Sequence, residues 1–379
     1  MRALEALGHS QAILYGKMPE DKTPQFLDNK EQFVVDYKTA DLPYPICGMS
    51  DIMPYEATRY RDLNAGMLEQ FREAYASKIR EAIILFKPDL LICHHLYLIT
   101  AITASVVQDI SPETPIVGIC HGTDLRQMES HELERDFICN GIKSLNKIFV
   151  LHDEQTGEVE SIYGASKDRV QVIGTGYNSL IFNSSTSEAR TADSVLFVGK
   201  VSRAKGVESL LRSFINFQIK KSSATLKIVG GHSDEEQYLK IVELAKQLEL
   251  QPDFTGVVSN CELVRSYRKS HVFVLPSFFE GLPLVSLEAC ACGCVCVMTA
   301  LPGVREWYSE NAPDAPILFV EPPAMQSIDV PIESELPSFE KRLTDAIEQA
   351  SSLQGNPSAV EHLSWKKLAT RLLAASRSV

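Results

Sequence analysis

Short apolar runs alternate with longer segments of helical periodicity along the first half of the chain. The apolar runs predict strands, and apolar positions at helical spacing predict a long helix over residues 59–86. The predicted strands cover residues 10–15, 31–36, 89–94, 115–120, 146–151 and 169–174. Strands that alternate with helices pair in parallel, and helices then cover both faces of the sheet. The first half is therefore predicted to be a doubly wound α/β domain.

The second half shows the same alternation. Its predicted strands lie in the run ending at Gly199, in Leu226–Gly231, in His271–Ser277 and within Cys294–Glu306. A helix is predicted over Glu235–Leu250, between the second and third of these strands. Two successive runs of strand and helix predict two doubly wound domains.

The segment Gly174–Asp193 separates the two halves. It is rich in Ser and Thr and has no periodicity, which is typical of a linker. It contains a Gly-x-Gly-x-x-Ser pattern, but no helix is predicted after it, so we reject a dinucleotide-binding turn there. We predict domains over residues 1–180 and 181–360, followed by a C-terminal helix within residues 361–379.

The stretch Ser277–Gly293, SFFEGLPLVSLEACACG, carries two glutamates in a pattern suited to ligand binding. Pro283 predicts the start of a helix after a buried strand, which leaves Glu280 in the loop and Glu288 inside the helix. The first N–H groups of a helix have no partner within it and suit a diphosphate. Here these groups belong to Gly281, Leu282, Leu284 and Val285. Carboxylates on either side suit the hydroxyl groups of sugars, so the pattern indicates a nucleotide-sugar site.

A second pattern places two lysines in the loop after an earlier strand. Gly199 ends the strand, Lys200 and Lys205 follow, and Gly206 leads into an amphipathic helix. Two fixed positive charges would stabilise the negative charge that develops on a departing nucleoside diphosphate.

These motifs, in this order, resemble those of the retaining glycosyltransferases of family 4. That family has the GT-B fold, in which two doubly wound Rossmann-like domains face a cleft and a C-terminal helix crosses back to the first domain. The family has Gly-Arg followed by Lys-Gly. Lys200 stands at the position of the family's arginine, and Lys205 stands at the position of its lysine. The segment Phe254–Ser259 resembles the one whose backbone holds the nucleotide base, which implies that Val257 lies near the base.

The resemblance implies transfer of a sugar from a nucleotide sugar, such as a UDP-sugar, to an acceptor hydroxyl, with retention of configuration. Glu280 would hold the donor sugar, and Glu288 would hold the ribose. His121, in the acceptor-side first domain, would also hold the donor sugar. The base, the sugar and the acceptor, whether glycan, lipid-linked or small molecule, are left open. The chain has no Asp-x-Asp, and no metal or other cofactor is expected. An epimerase or a phosphorylase of this fold, and a non-catalytic nucleotide-sugar-binding protein, remain alternatives.

Histidines and cysteines raise the question of a metal site. His121 and Asp124 follow a predicted strand, with Asp124 expected to cap the next helix, and His94 and His95 follow another strand. A three-histidine zinc site lacks further ligands at suitable spacing. The cysteines at 290, 292, 294 and 296 alternate singly and are expected to be small apolar side chains in a buried junction.

Composition excludes several functional classes. The chain has 379 residues, 45% hydrophobic and 23% charged, with a net charge of −12. The acidic balance argues against nucleic acid and anionic lipid as partners. No apolar run reaches the ~20 residues of a membrane span, and no signal peptide opens the sequence, so a cytoplasmic location is expected.

The beginning of the sequence raises a further expectation. Arg2–Ser10, RALEALGHS, resembles the end of the family's first helix. The family has a strand and a glycine-rich loop before that helix, and they are not in this sequence. The resemblance therefore implies that Met1 is an internal start, with a short inactive or weakly binding form as the rival interpretation.

Overall fold

A computed structural model describes residues 1–23, 27, 30–51, 53, 55–185, 190–327 and 329–376. The chain forms two units. One comprises Met1–Gly174 together with Leu368–Val379, and the other comprises Thr175–Lys367. Residues 186–189 of the predicted linker and residues 377–379 of the predicted C-terminal segment lie outside the described residues.

The first unit alternates strands and helices. Its elements, in chain order, are α1 (Arg2–Glu5), β1 (Ala12–Lys17), β2 (Glu31–Asp36), β3 (Cys47–Gly48), β4 (Thr58–Arg59), α2 (Ala65–Phe86), β5 (Leu91–His94), α3 (Leu98–Ile110), β6 (Ile116–Ile119), α4 (Thr123–Ser130), α5 (Arg135–Lys143), β7 (Lys147–Val150), α6 (Asp153–Tyr163) and β8 (Val170–Val172). Strands β5, β6, β7 and β8 pair in that order, all in parallel. Strand β1 pairs in parallel with β2 in a separate two-stranded sheet.

Helix α2 starts six residues later than the sequence predicted. The Asn64 side chain accepts a hydrogen bond from the backbone N–H of Met67 at 3.0 Å, which caps the helix. The preceding residues form β4 and a 3₁₀ turn over Tyr60–Asp62 instead. From there the helix buries one face, as its apolar spacing requires. The residues buried on that face are Phe71, Tyr75, Ile79 and Ile83.

The second unit contains a larger parallel sheet. Its elements are β9 (Ser194–Val198), α7 (Val207–Lys220), β10 (Thr225–Val229), α8 (Glu235–Gln247), β11 (Asp253–Gly256), α9 (Asn260–Lys269), β12 (Val272–Leu275), α10 (Leu284–Ala291), β13 (Val295–Thr299), α11 (Val304–Asn311), β14 (Ile317–Val320), β15 (Met325–Ser327), β16 (Val330–Pro331) and α12 (Leu336–Ser351). Six of these strands pair in the order β11-β10-β9-β12-β13-β14, all in parallel.

The central strands of this sheet are buried on both faces. Every residue of β9, β12 and β13 is buried, which explains why the sequence reads as continuous apolar runs rather than as alternation. The strand order reverses between β9 and β12, because β10 and β11 extend on one side and β13 and β14 on the other. This reversal is the topological switch point of the sheet.

The division between the units falls after Gly174, whereas the sequence suggested residue 180. The intervening residues are tied to the second unit. Tyr177 exchanges backbone hydrogen bonds with Leu363 and Trp365, at 3.2 and 2.9 Å. The Phe182 ring packs edge-on against Tyr267 of α9, with ring centroids 5.9 Å apart.

The last helix, α13 (Trp365–Ser376), crosses the boundary in sequence between the two units. Its residues Leu368 and Leu372 pack in one cluster with Val117, Phe149 and Ile173 of the first unit. Among all the described residues, we find no helix with the length and apolar character that a membrane span requires.

Two glycine-to-alanine substitutions are expected to change stability in opposite directions. Gly230 has φ +143°, and a Cβ there would collide with the backbone oxygen of Gly199. Gly230→Ala should therefore destabilise the fold by at least about 2 kcal/mol. Gly157 lies inside α6, where an added Cβ meets no atom within 4 Å, so Gly157→Ala should stabilise the fold by up to about 1 kcal/mol. Thermal unfolding of both variants checks this, and equal effects would contradict it.

Candidate functional site

The switch point of the second sheet marks the candidate site. In open α/β sheets, ligands bind outside the carboxyl ends of the strands where the strand order reverses. The two loops that leave this point are residues 199–206, after β9, and residues 276–283, after β12. Both motifs predicted from the sequence, the lysine pair and Glu280, lie in these loops.

The two loops touch through their backbones. Gly206 has φ +69°, and a Cβ there would overlap the carbonyl oxygen of Pro276. The N–H of Phe278 donates to the carbonyl oxygen of Ala204 at 2.9 Å. A side chain at position 206 would force the loops apart, so glycine is required there for contact as well as for conformation.

This contact brings Lys205 and Glu280 together, 75 residues apart in sequence. Lys205 Nζ lies 2.6 Å from Glu280 Oε1, with both side chains largely buried. The hydroxyl of Ser277 donates to the same oxygen at 2.7 Å. Glu280 Oε1 is thus held by two donors, which orients Glu280 Oε2 for another partner.

Lys200 supplies the second positive charge of the loop. Its ammonium group is half-buried, and its pKa is lowered by burial and then by the nearby charge of Lys205. The carboxylate of Asp329, between β15 and β16, acts in the opposite direction. Two nearby cations favour an anionic partner, and the predicted role of this lysine pair beside a diphosphate stays a prediction.

Helix α10 begins one residue later than predicted. Pro283 has extended backbone angles (φ −72°, ψ 116°) and is the N-cap, so Leu284 is the first helical residue. The N–H groups of Leu284 and Val285 thus belong to the first turn, where no partner exists within the helix. The Leu282 side chain is buried, so only its backbone is suited to a ligand, whereas Leu284 is 41% exposed.

Glu288 occupies a more apolar setting than Glu280. Its Oε2 accepts a hydrogen bond from the hydroxyl of Tyr267 at 3.2 Å. Burial raises the pKa of Glu288 to about 7, and the Tyr267 hydroxyl opposes that rise. Near neutral pH this carboxyl group therefore exchanges between its charged and neutral forms.

Val257 lies on the neighbouring loop, after β11. Its side chain is 85% exposed, which is unusual for an apolar residue and leaves it available to a ligand. A Cβ on Gly231, after β10, would come within 2.9 Å of Val257 Cγ2, so the two loops lie side by side. Gly199 is fixed nearby, because its N–H donates to the carbonyl oxygen of Val229 at 3.0 Å.

His121 belongs to the first unit, where it forms a cluster with two other histidines. His94 Nδ1 lies 3.0 Å from His121 Nε2, and the ring of His95 is 4.5 Å from that of His121. Burial, followed by the neighbouring imidazoles, lowers the pKa of His94 and His121 to about 4, so both are neutral at pH 7. The predicted contact of His121 with a donor sugar stays a prediction.

Asp124 does not cap a helix, contrary to the prediction. It is the second residue of α4, whose N-cap is Gly122. The fully buried carboxylate accepts hydrogen bonds from the backbone N–H groups of Leu96, at 2.7 Å, and His121, at 3.1 Å. Its position in the first turn directs it back toward the ends of β5 and β6 instead of toward its own helix.

The four closely spaced cysteines lie buried around α10 and β13. Cys290 and Cys296 have their sulfur atoms 3.3 Å apart. Burial raises the pKa of Cys292 and of Cys294 to about 12, so both stay thiols at neutral pH. Across the described residues, no three His, Cys, Asp or Glu side chains are arranged to hold a metal ion.

Comparison with known proteins finds similar sequences for the second unit. Residues 182–349 match the family model of glycosyl transferases group 1. An uncharacterized glycosyltransferase of Methanocaldococcus jannaschii is 30% identical over 163 residues, which cover 39% of this chain and 41% of that protein. A D-inositol 3-phosphate glycosyltransferase of Frankia alni is 32% identical over 168 residues, 40% of this chain and 41% of that one. The chain therefore matches about two fifths of the length of these relatives.

Solved structures extend the likeness to both units. The Anabaena protein HepE, solved with UDP and glucose, superposes with a TM-score of 0.67 at 13% identity, covering 97% of this chain and 92% of that one. A glycosyltransferase of Rickettsia africae gives 0.63 at 14% identity, covering 99% and 91%. At such low identity the likeness establishes the fold, which is GT-B, as the sequence predicted.

Three polar groups of the site were not predicted. The sequence predicts Ser277 as the end of a strand, whereas in the structure its hydroxyl donates to Glu280. Tyr267 is 21 residues from Glu288 in sequence, and Asp329 is 129 residues from Lys200, so no local pattern connects either residue with its partner. The buried HVFVLPS strand was the one available signal, because side chains just before and after it flank the switch point.

Replacing Glu288 should change the dependence of stability on pH. Because burial raises its folded pKa from 4.5 to about 7, the folded chain binds this proton more tightly than the unfolded chain. That stabilisation is complete below pH 4.5 and is lost as pH rises through 7. Glu288→Gln, which is neutral throughout, should exceed the unfolding free energy of the wild type by less than about 1 kcal/mol near pH 5 and by about 1–3 kcal/mol at pH 8.

Denaturant unfolding at both pH values measures the difference, with Glu310→Gln as the control at an exposed glutamate of the same unit. A gain of equal size at pH 5 and pH 8 would contradict the assigned protonation of Glu288.

Proposed function

We propose that this protein transfers a sugar from a nucleotide-sugar donor to an acceptor hydroxyl. The observation that carries the proposal is the contact of Lys205 with Glu280, made at the switch point and just before the N-terminus of α10. A cation, a carboxylate and free backbone N–H groups lie in one place. The cation suits the leaving diphosphate, the carboxylate suits the polyol, and the N–H groups form a fixed position for the anion.

The diphosphate would lie against the first turn of α10. The N–H groups of Gly281, Leu284 and Val285 are suited to donate to its oxygens, aided by the positive end of the helix dipole. Lys200 and Lys205 would stabilise the charge that builds on the leaving oxygen as the bond to the sugar breaks. Lysine at 200 provides that charge without the bidentate geometry of arginine.

The two carboxylates would bind the two ends of the donor. Glu280 has Oε1 held by Lys205 and Ser277, so Oε2 is available to the hydroxyls of the sugar. Glu288 would accept hydrogen bonds from the ribose, and Val257 would lie against the base. For His121, which is neutral at pH 7, the resemblance implies a hydrogen bond to the sugar.

The finer points of the proposal draw on the resemblance to family 4. They are retention of configuration, a mechanism without a metal ion, and a cytoplasmic location. UDP is the first nucleotide to test, because the Anabaena structure contains UDP and glucose. The acceptor would be a hydroxyl of a glycan, a lipid-linked sugar or a small molecule such as D-inositol 3-phosphate, which the name of several relatives includes.

A donor screen tests the proposal. The chain is heated with UDP, GDP or ADP sugars, and a ligand at a hundredfold its dissociation constant should stabilise the folded state by ~2.7 kcal/mol. Transfer is then followed as release of the nucleoside diphosphate when candidate acceptors are added. Binding without release would indicate a non-catalytic binding protein, and release that requires phosphate would indicate a phosphorylase. If none of the nucleotide sugars binds, the proposal is wrong.

Comparison of Lys205→Ala with Ser277→Ala should separate the effect of the Lys205 charge from the effect of its contact with Glu280. Lys205→Ala removes both the cation and one donor to Glu280 Oε1, and we expect turnover to fall by about 10²–10³. Ser277→Ala removes only a donor to the same oxygen and should cost about tenfold. Lys227→Ala, at an ion pair with Asp253 in the same unit, serves as the control.

Turnover of these variants and of the wild type is measured with and without EDTA. Equal losses in Lys205→Ala and Ser277→Ala would mean that Lys205 acts only by holding Glu280. Inhibition of the wild type by EDTA would overturn the metal-free mechanism.

A further inference from the structure

The ring of Tyr267 is locked in place inside the second unit. Its side chain is completely buried. Phe182 and Phe273 both pack against it edge-on, each with ring centroids 5.9 Å away. The carbonyl oxygen of Tyr267 also accepts a hydrogen bond from the thiol of Cys294 at 3.1 Å. With ring and backbone both fixed, the hydroxyl group can occupy only one position.

That hydroxyl is directed at Glu288. The phenol oxygen lies 3.2 Å from Glu288 Oε2, to which it donates. In the part of the chain that the structure describes, no other donor is hydrogen-bonded to this carboxylate. Glu288 is therefore held through one oxygen by a single rigid donor, and its other oxygen, Oε1, has no partner among the described residues.

We propose that Tyr267 is a positioning residue that fixes Glu288 so that Oε1 accepts hydrogen bonds from the ribose of the donor. This inference rests on the proposed function, because the ribose belongs to the nucleotide sugar. A carboxylate that is free to rotate would lose conformational entropy on binding, and a held one loses less. Tyr267 also makes its hydrogen bond to the ionised carboxylate, the form that binds hydroxyl groups more strongly.

The charge of Glu288 depends mainly on burial and on Tyr267. Burial raises its pKa to about 7, and the hydrogen bond from Tyr267 opposes this. Donor binding should therefore weaken as pH falls through 7, and loss of the Tyr267 hydroxyl should move this midpoint upward.

Other groups around Glu288 do not titrate near pH 7 or are turned elsewhere. Burial raises the pKa of the Tyr267 phenol well above its usual value, and that of Cys292 and Cys294 to about 12. The guanidinium of Arg268 is hydrogen-bonded to Asn183, at 2.6 Å from Nη2 to Oδ1. In the turn over Pro357–Leu363, which contacts α10, Glu361 is exposed and His362 contacts the carbonyl oxygen of Asn311.

The test compares Tyr267→Phe with the wild type, since phenylalanine keeps the ring and removes only the hydroxyl. UDP-glucose is the probe, because its diphosphate has no group that titrates near pH 7, and its dissociation constant is measured by calorimetry from pH 6 to 8.5. At pH 7 we expect about tenfold weaker binding by Tyr267→Phe, with the midpoint of the pH profile about one unit higher. In the transfer reaction KM for the donor should rise by a similar factor, and kcat should change by less than about twofold.

Two variants control for indirect effects. Tyr308→Phe removes another buried hydroxyl that contacts the same helix, through Ser286 Oγ at 2.6 Å, but not the carboxylate, and it should leave the profile unchanged. Glu288→Gln should bind weakly, with no dependence on pH in this range. An effect of Tyr308→Phe equal to that of Tyr267→Phe would overturn the inference, because it would mean that a loosened helix is the cause.

A measurement without ligand separates this inference from the proposed function. NMR of protein labelled with ¹³C at glutamate carboxyl groups follows the titration of Glu288, identified by its loss in Glu288→Gln. A higher Glu288 pKa in Tyr267→Phe supports the positioning contact, and an unchanged value overturns it. If the wild type binds no nucleotide sugar at all, the proposed function fails regardless of that result.

Discussion

The backbone contact between Gly206 and Pro276 is the constraint on which the site depends. Parallel strands β9 and β12 are neighbours, so the chain leaves both at the same edge of the sheet. Only a residue without a Cβ lets the two loops approach closely enough for Lys205 to reach Glu280. A long-range ion pair is thus positioned by a steric feature of the backbone. The ion pair itself would be a poor organiser, since partly buried charges gain little net stability from pairing.

The two glutamates of the site differ because their surroundings differ. Glu280 has a cation and a hydroxyl group bound to one oxygen. Glu288 has a single phenol and an apolar setting, so burial dominates and its pKa rises to about 7. Although they are eight residues apart in sequence, the two groups therefore have different hydrogen-bond partners and different burial. The residue type alone does not determine this, because the partners come from other loops and helices.

The strands could be predicted from the sequence, whereas the strand order and the partners of the site residues could not. Fully buried strands such as β12 leave a continuous apolar run, and a parallel sheet with its ligand at the strand ends follows from the alternation with helices. The start of α2 was wrong by six residues because the Asn64 cap competes with apolar spacing that continues upstream. Tyr267 was missed because a residue on the preceding helix reaches Glu288 only through tertiary packing. Local patterns specify the elements, but contacts between elements are properties of the fold.

Both units use a carboxylate to organise the carboxyl ends of neighbouring strands, although they do so differently. In the second unit Glu280 is bound by side chains, and one of its oxygens remains for a ligand. In the first unit Asp124 is fully buried and is bound by the backbone N–H groups of Leu96 and His121. The Asp124 carboxylate therefore makes its hydrogen bonds within the fold. Its effect is to fix the backbone next to the histidine cluster. Because burial keeps His94 and His121 neutral, each imidazole has both a donor and an acceptor nitrogen at pH 7. A neutral imidazole is suited to hydroxyl groups, which also both donate and accept hydrogen bonds.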